Sequence, residues 1–288
     1  MDIATSDLIT MALAEDIGPG DITSDFFLPA THQSKGRIIT RQPIVVAGIA
    51  VAAEVFRQIN PRIMVSPHVH DGEKREPGDT LLELEGPTLG LLGGERVALN
   101  FLGRLAGIAT FTRTHVDLVA GTGVTILDTR KMTPGWRTLE KEAVRAGGGK
   151  NHRFGLYDAI LIKDNHLAAL GPHIDLSLPG YAQKARSKYP HIKIEVEADT
   201  LHQVEIFLKI PEITTILLDN MSLEMLGKAV ALRNQHNPAI RLEASGGITL
   251  KNLQSVAQTG IDEISLGALT HSAIWSDLSL ELFAKYPG

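Results

Sequence analysis

After Gly121 the sequence settles into an alternation that few folds accommodate. Short apolar runs at Val124–Asp128, Ala159–Ile162, Ile192–Val196, Thr215–Leu218, Ile240–Ala244 and Glu263–Leu266 read as buried strands. Helical segments at Trp136–Ala146, Gly180–Lys188, Thr200–Lys209, Ser222–Asn234 and Thr249–Thr259 lie between them. Repeated strand–helix units imply parallel strands joined by right-handed crossovers. Six such units, with no Gly-x-Gly-x-x-Gly turn after the first strand, point to a TIM-like α/β barrel of about six parallel strands more than to a doubly wound sheet. Six is fewer than the usual eight, so the barrel is expected to be small, irregular or partly open.

The first part of the chain has another rhythm. Leu8, Ile9, Met11, Ala12 and Leu13 form one helical face across Asp7–Glu15, with Ser6 or Asp7 as cap and Gly18-Pro19-Gly20-Asp21 as the closing turn. β-type runs at Gly36–Arg41, Ile44–Gly48, Arg62–Ser66 and Thr80–Leu84 surround a helical segment at Ala52–Gln58. That order describes an α+β layer with one sheet face covered by helix. Glu95–Ala120 reads as a long helix linking two domains, and Gly103 and Gly107 within it serve close packing. The expected division is an N-terminal domain at 1–110 and a barrel domain at 111–274, with the C-terminal segment 275–288 a candidate to pack with the former.

Composition narrows the function. A net charge of −5 argues against a general nucleic-acid or membrane-surface binder. The absence of cysteine excludes disulfides, thiolate catalysis and zinc-thiolate sites, and fits a reducing cytoplasm, the expected location. No apolar run approaches the length of a transmembrane helix, and the N-terminus lacks the pattern of a signal peptide. Against this acidic background, Arg130, Lys131, Arg137, Lys141, Arg145, Lys150, Arg153 and Lys163 cluster in one stretch, with His152 and His166 among them. A local cationic cluster on an acidic chain reads as a site for an anion.

Barrel enzymes carry their chemistry at the C-terminal ends of the strands. Here those ends hold Asp128-Thr129-Arg130-Lys131, Lys163-Asp164-Asn165-His166, Glu197, Asp219-Asn220, Ser245-Gly246-Gly247 and Gly267-Ala268. The glycine turns at 246 and 267 admit an anion to backbone N–H groups, although either alone would be a tight turn more often than a site. Glu197 and Asp219 could hold Mg²⁺ or ribose hydroxyls, or simply pair with Lys163. Glu195, two residues before Glu197, faces the same way and is expected to be deeper and structural. Arg137, Lys141 and Arg145 recur at i,i+4, with Glu140 and Glu142 to screen them, and fit an ordinary solvated helix face. Gly147-Gly148-Gly149-Lys150 lacks the spacing of a nucleotide phosphate loop, and His152 and His166 lack zinc-site spacing.

Long motifs then carry a resemblance. Asp128-Thr129-Arg130-Lys131-Met132-Thr133-Pro134-Gly135, the run Gly147–Asp158, Asn100–Thr110 and Gly267–Ser272 resemble the quinolinate phosphoribosyltransferases, and the likeness spans nearly the whole chain. It implies an N-terminal open-faced α/β sandwich and a C-terminal α/β barrel. It also implies a homodimer or a larger assembly of dimers, with Arg104 reaching the partner's site. By motif position Arg104, Arg130, Lys131, His152, Arg153 and Lys163 would surround quinolinate. Glu197, Asp219, Ser245, Gly246, Gly267 and His271 would bind phosphoribosyl pyrophosphate. Glu197 and Asp219 would hold Mg²⁺, directly or through water or substrate. Lys131, Lys163, Glu197 and Asp219 form the candidate catalytic set. Gly103, Met132 and Trp136 depart from the residues common in the family, none of them removing a charge.

The implied activity is phosphoribosyl transfer to quinolinate with decarboxylation, in NAD biosynthesis. Two alternatives stand beside it. One is a paralogue of the same fold acting on another base, against which Lys163-Asp164-Asn165-His166 speaks. The other is a non-catalytic phosphometabolite-binding barrel, against which the set of costly strand-end charges speaks.

Overall fold

The structure is a computed structural model describing residues 3–171 and 173–284. The chain opens with helices α1 (Ile3–Ile17) and α2 (Ile22–Phe27), strands β1 (Gln33–Thr40) and β2 (Ile44–Val45), and helix α3 (Ile49–Ile59). Strands β3 (Met64–Pro67), β4 (Lys74–Arg75) and β5 (Thr80–Pro87) lead into the long helix α4 (Thr88–Leu118). There follow β6 (Thr125–Leu127), α5 (Arg137–Ala146), β7 (Ile160–Ile162), α6 (Asp164–Leu170), α7 (Ile174–Lys188), β8 (Ile194–Ala198) and α8 (Leu201–Phe207). The last elements are β9 (Thr215–Asp219), α9 (Leu223–His236), β10 (Arg241–Ser245), α10 (Leu253–Ala257), β11 (Glu263–Ser265), α11 (Ala268–His271) and β12 (Leu278–Ala284). Two compact units result. The first comprises Met1–Arg113, Met132–Gly148 and Ala268–Gly288, and the second Thr114–Lys131 and Gly149–Gly267.

In the first unit an antiparallel sheet runs in the order β12-β1-β5-β3. Along β1, Ser34, Gly36 and Ile38 are buried while Lys35 is exposed and Arg37 half-buried. That is the period of a strand with one covered face. Lys35 pairs with Glu85 at 3.1 Å and Arg37 with Glu281 at 2.8 Å. The covered side takes α3, whose Val55 and Phe56 are fully buried. Burial of side chains of this size contributes roughly 1.5–3 kcal/mol each. Asp71 caps α3 from a distance, accepting from the N–H groups of Gly48 (3.0 Å) and Ile49 (3.2 Å).

Several expectations shift here. α1 begins at Ile3, so Ser6 and Asp7 lie inside it; Ser6 Oγ instead accepts from Gln58 Nε2 of α3 at 3.0 Å. Asp21, read as the end of a turn, is the N-cap of α2 and accepts from Thr23 N and Ser24 N, both at 3.1 Å. Gly103 and Gly107 do allow a close approach, but of the segment at 274–276: a Cβ on Gly107 would lie 2.2 Å from the Ile274 carbonyl oxygen. Ser276 N–H donates to Gly103 O at 2.9 Å. Trp136 stacks on Phe101, ring centroids 4.7 Å apart. The solvated face expected of α5 holds for Arg145, which is exposed and pairs with Glu142. It fails for Lys141, 1% exposed, and for Glu140, which is fully buried. The aliphatic residues Leu139, Ala143 and Val144 set the helix's buried side and carry Glu140 and Lys141 inward with them.

The second unit is a six-stranded, all-parallel sheet in the order β6-β11-β10-β9-β8-β7, the TIM-like arrangement expected. Its two faces are chemically opposite. Ile126, Ile194, Val196, Ala198, Ile216, Leu218, Leu242, Ala244 and Ile264 form one face and are all buried. Thr125, Leu127, Glu195, Glu197, Thr215, Leu217, Asp219, Arg241, Glu243, Ser245, Glu263 and Ser265 alternate with them on the other. The first face is one that helices cover; the second is a polar interior graded toward the strand ends. Beyond β6 the chain adds one further bridge: Lys150 pairs with Leu127, and Lys150 N–H donates to Ile126 O at 2.8 Å. This ties the segment carrying His152 and Arg153 to the end of β6.

Candidate active site

The polar face of the second unit is layered. Deepest are Glu195 and Glu243, both fully buried, with His152 Nε2 3.0 Å from Glu195 Oε2 and 3.5 Å from Glu243 Oε2. Lys193 lies 3.5 Å from Glu195 Oε2. Burial disfavours a charge on Glu243, and the Glu195 carboxylate adds to this; together they push its pKa up to about 8. Burial also opposes charge on Glu195, but the His152 contact outweighs it and Glu195 stays below its ordinary value. Of the two carboxyls, Glu243 is therefore the one that holds a proton near neutrality. The His152 ring is gripped on both sides, because Nδ1 accepts from the Arg153 backbone N–H at 2.7 Å. Burial lowers the ring's pKa, and the Glu195 and Glu243 carboxylates more than restore it. Glu195 is thus the deeper of the pair Glu195 and Glu197, as expected from the sequence. His152 faces these carboxylates and supports the backbone of Arg153.

Asp128, the residue directly after β6, is also fully buried. Its carboxylate accepts from His152 N at 2.9 Å and Asn151 Nδ2 at 2.6 Å, fixing the 151–153 segment. Arg153 donates from Nη1 to Ala159 O at 3.3 Å. Its pKa is lowered, first by burial and next by the Arg130 guanidinium. Two arginines that repel each other in a partly dry site favour an anion between them. Arg130 and Lys131 are exposed. Lys163 occupies the N-cap position of α6, unfavourable for a cation against the helix dipole. Glu197 offsets this, its Oε2 lying 3.6 Å from Lys163 Nζ. Lys163 N–H also donates to His166 Nδ1 at 2.9 Å, which gives His166 a capping role.

Near the strand ends Glu197, Asp199 and Asp219 each present an oxygen, all within 4.8 Å of one another. Burial raises the Glu197 pKa; Lys163 partly offsets this, and Asp219, Asp164 and Asp199 add to it. Three converging oxygens fit a hard cation such as Mg²⁺, which takes carboxylates and keeps some of its waters. Asp199 was missed by the sequence reading. It continues the two-residue step of Glu195 and Glu197, and that period was the available signal. Ser245 lies directly opposite Asp219 in register. Gly246 and Gly247 follow with φ of +84° and +63°, a turn that favours glycine. Leu266 N–H donates to Leu127 O at 3.0 Å, which places Gly267 at the end of β11 beside β6.

Two candidates belong to the first unit. Arg104 donates to Glu140 Oε1 from Nε at 3.1 Å and from Nη2 at 2.6 Å, and from Nη2 to Thr270 O. Glu140 also accepts from Thr133 Oγ1 at 2.8 Å and Thr133 N at 3.2 Å. His271 is exposed, its Nδ1 2.7 Å from Ser272 Oγ.

Comparison with known proteins bears on the whole arrangement. Residues 21–106 match the family described as quinolinate phosphoribosyl transferase, N-terminal domain, and residues 108–281 its C-terminal domain. A nicotinate-nucleotide pyrophosphorylase (carboxylating) of Mycobacterium leprae is 42% identical over 285 residues, covering 97% of each chain. A quinolinate phosphoribosyltransferase (decarboxylating) of Nicotiana tabacum is 37% identical, covering 96% of this chain and 81% of its own length. The crystal structure of a nicotinate-nucleotide pyrophosphorylase from Ehrlichia chaffeensis superposes with a TM-score of 0.89 at 39% identity, covering 98% of this chain and 100% of that one. With both domain families matched in order and relatives matched along nearly their full length, the chain belongs to the quinolinate phosphoribosyltransferase family.

Proposed function

We propose that this chain joins quinolinate to phosphoribosyl pyrophosphate with loss of CO₂, giving nicotinate mononucleotide and pyrophosphate in NAD biosynthesis. The observation that carries the reading is the division of one strand-end rim into a cationic part and a carboxylate part. Arg130 and Arg153 repel each other, and Lys163 lies at the same strand ends. Glu197, Asp199 and Asp219 converge beside them. The cationic part suits a base with two carboxylates. The carboxylate part and the Ser245-Gly246 turn suit a ribose bearing phosphates.

In this reading Arg130, Lys131, Arg153 and Lys163 hold the quinolinate carboxylates, and His152 acts through Arg153. Glu197 and Asp219 orient the ribose, while Ser245, Gly246 and Gly267 receive the phosphate end. With Asp199, the same two carboxylates would hold Mg²⁺, which when bound neutralises charge on the leaving pyrophosphate. The ring nitrogen forms a bond to the anomeric carbon as the bond to pyrophosphate breaks, and the leaving group takes the electron pair. The resulting pyridinium accepts the electrons of the bond to the adjacent carboxylate as CO₂ departs, and a proton then fills that carbon. Positioning of two polyanions and electrostatic stabilisation supply the rate, with no covalent enzyme intermediate.

The proposal includes self-association, with Arg104 contributed to a second copy's site. Exposed Ile22, Phe26 and Phe27 on α2 support an apolar contact surface. It also includes a cytoplasmic location, supported by the lack of cysteine. Among the described residues no helix is long and apolar enough to cross a membrane. The test is purified protein with quinolinate, phosphoribosyl pyrophosphate and Mg²⁺, followed by nicotinate mononucleotide. Turnover of another base with none of quinolinate overturns the reading in favour of a paralogue, and ligand binding without turnover of any base overturns it in favour of a binding barrel.

A further inference from the structure

Asn220 is the one non-glycine residue with positive φ among the described residues, at +51°. Asparagine tolerates that region better than most side chains, but the conformation still carries a cost and calls for something that holds it. Three contacts do so. Asn220 N–H donates to Ser245 O at 2.8 Å, and Asn220 Nδ2 donates to Asp219 Oδ2 at 2.8 Å. Its Oδ1 fills the space above Gly246, where a Cβ would come within 2.3 Å of it. Asn220 therefore touches both ends of the ribose-phosphate half: the Asp219 carboxylate and the Ser245-Gly246 turn.

We propose that Asn220 is a positioning residue for the phosphoribosyl substrate, locking the Asp219 carboxylate to the Ser245-Gly246 turn so that both meet one ligand in fixed register. This rests on the assignment of Asp219, Ser245 and Gly246 to that substrate. A carboxylate on a strand end otherwise rotates freely about its side-chain bonds. The amide donor engages Oδ2 and so presents Oδ1 to the ligand. Because the amide is neutral, it fixes Asp219 without discharging it, as a lysine in its place would. Gly246 is the matching element, since any larger residue would evict the amide oxygen.

The test uses the full-length protein with Asn220→Gly and Asn220→Asp, and reads binding and steady-state constants for the two substrates separately. Glycine keeps the positive φ without strain but removes the donor. Aspartate keeps the shape and much of the tolerance for positive φ, but sets a carboxylate against Asp219. The expected result is a Kd and KM for phosphoribosyl pyrophosphate at least about fivefold higher in Asn220→Gly and higher again in Asn220→Asp. The Kd for quinolinate should stay within twofold of wild type in both. A merely structural role predicts the reverse order, with the isosteric aspartate the milder change, and that order overturns the proposal. So does equal weakening of both substrates, or no change. Asp219→Asn separates the two levels of inference. If it weakens phosphoribosyl pyrophosphate while the Asn220 variants do not, the positioning role alone fails. If it leaves that substrate unaffected, the site assignment fails and the positioning role with it.

Discussion

Glu140 offers a prediction whose size follows from the structure. It is fully buried and accepts two hydrogen bonds from Arg104 and two from Thr133. Glu140→Ala removes all four and leaves the Arg104 guanidinium, whose side chain is 12% exposed, donating to the Thr270 and Ala273 carbonyls. Breaking a buried ion pair from one side costs about 3–5 kcal/mol, because the surviving charge keeps its desolvation penalty. At roughly 2–4 °C per kcal/mol for a chain somewhat smaller than this, the melting temperature should fall by on the order of 10 °C. Removing both charges with Glu140→Leu and Arg104→Met together should recover a large part of the loss, since an apolar pair of similar volume carries no such penalty. The assay is thermal and urea unfolding of Glu140→Ala beside the four proteins of the Glu140→Leu, Arg104→Met double-mutant cycle. A loss below about 1 kcal/mol for Glu140→Ala, or a double variant as unstable as the sum of its parts, would refute the reasoning.

Three further outcomes follow from the site. Glu243 is raised from 4.5 to about 8, so between those values the folded state holds a proton that the unfolded state has lost. Its contribution to stability is full below about pH 4.5 and is lost as pH rises through about 8. Glu243→Gln, which copies the protonated form, should therefore gain on wild type across that window by at most about 1.4 kcal/mol per pH unit. Urea midpoints measured from pH 5 to 8.5 check this, and parallel curves would contradict it. Lys163→Ala and Arg130→Ala should each cost at least a hundredfold in turnover with circular dichroism unchanged, since Lys163 is 48% exposed and its loss leaves the fold little altered; near-normal rates in both would place the site elsewhere. Mixing inactive Arg104→Ala with inactive Lys163→Ala should restore part of the activity if Arg104 serves a second copy's site. No recovery from a mixture shown to exchange subunits would confine Arg104 to its own chain.

Much of this was legible in the sequence because it rests on local periods. The two-residue alternation in Ile194–Ala198 and Arg241–Ser245 sets which side chains share a face, and the parallel order then brings Glu197, Asp219 and Ser245 to one rim. What was missed depends on tertiary partners. Lys141 and Glu140 have ordinary helix-surface spacing, and only the burial of their neighbours takes them inside. His152 was placed at quinolinate by motif position alone, and the partners that orient its ring, Glu195, Glu243 and the Arg153 N–H, come from three separate segments. The conformation of Asn220 depends on the glycine opposite it, 26 positions later in the chain. The strand β12 was within reach: Leu278-Ser279-Leu280-Glu281-Leu282 alternates cleanly, and it pairs along β1.

The central claim is that one rim pairs a two-carboxylate base with phosphoribosyl pyrophosphate and removes one of the carboxylates. It is tested most directly by counting products: CO₂ and pyrophosphate released by the purified protein, with quinolinate or nicotinate as the base. The account predicts one CO₂ for each pyrophosphate from quinolinate and neither product above background from nicotinate, which lacks the second carboxylate. Pyrophosphate release from nicotinate at a comparable rate, or from quinolinate without CO₂, would contradict it.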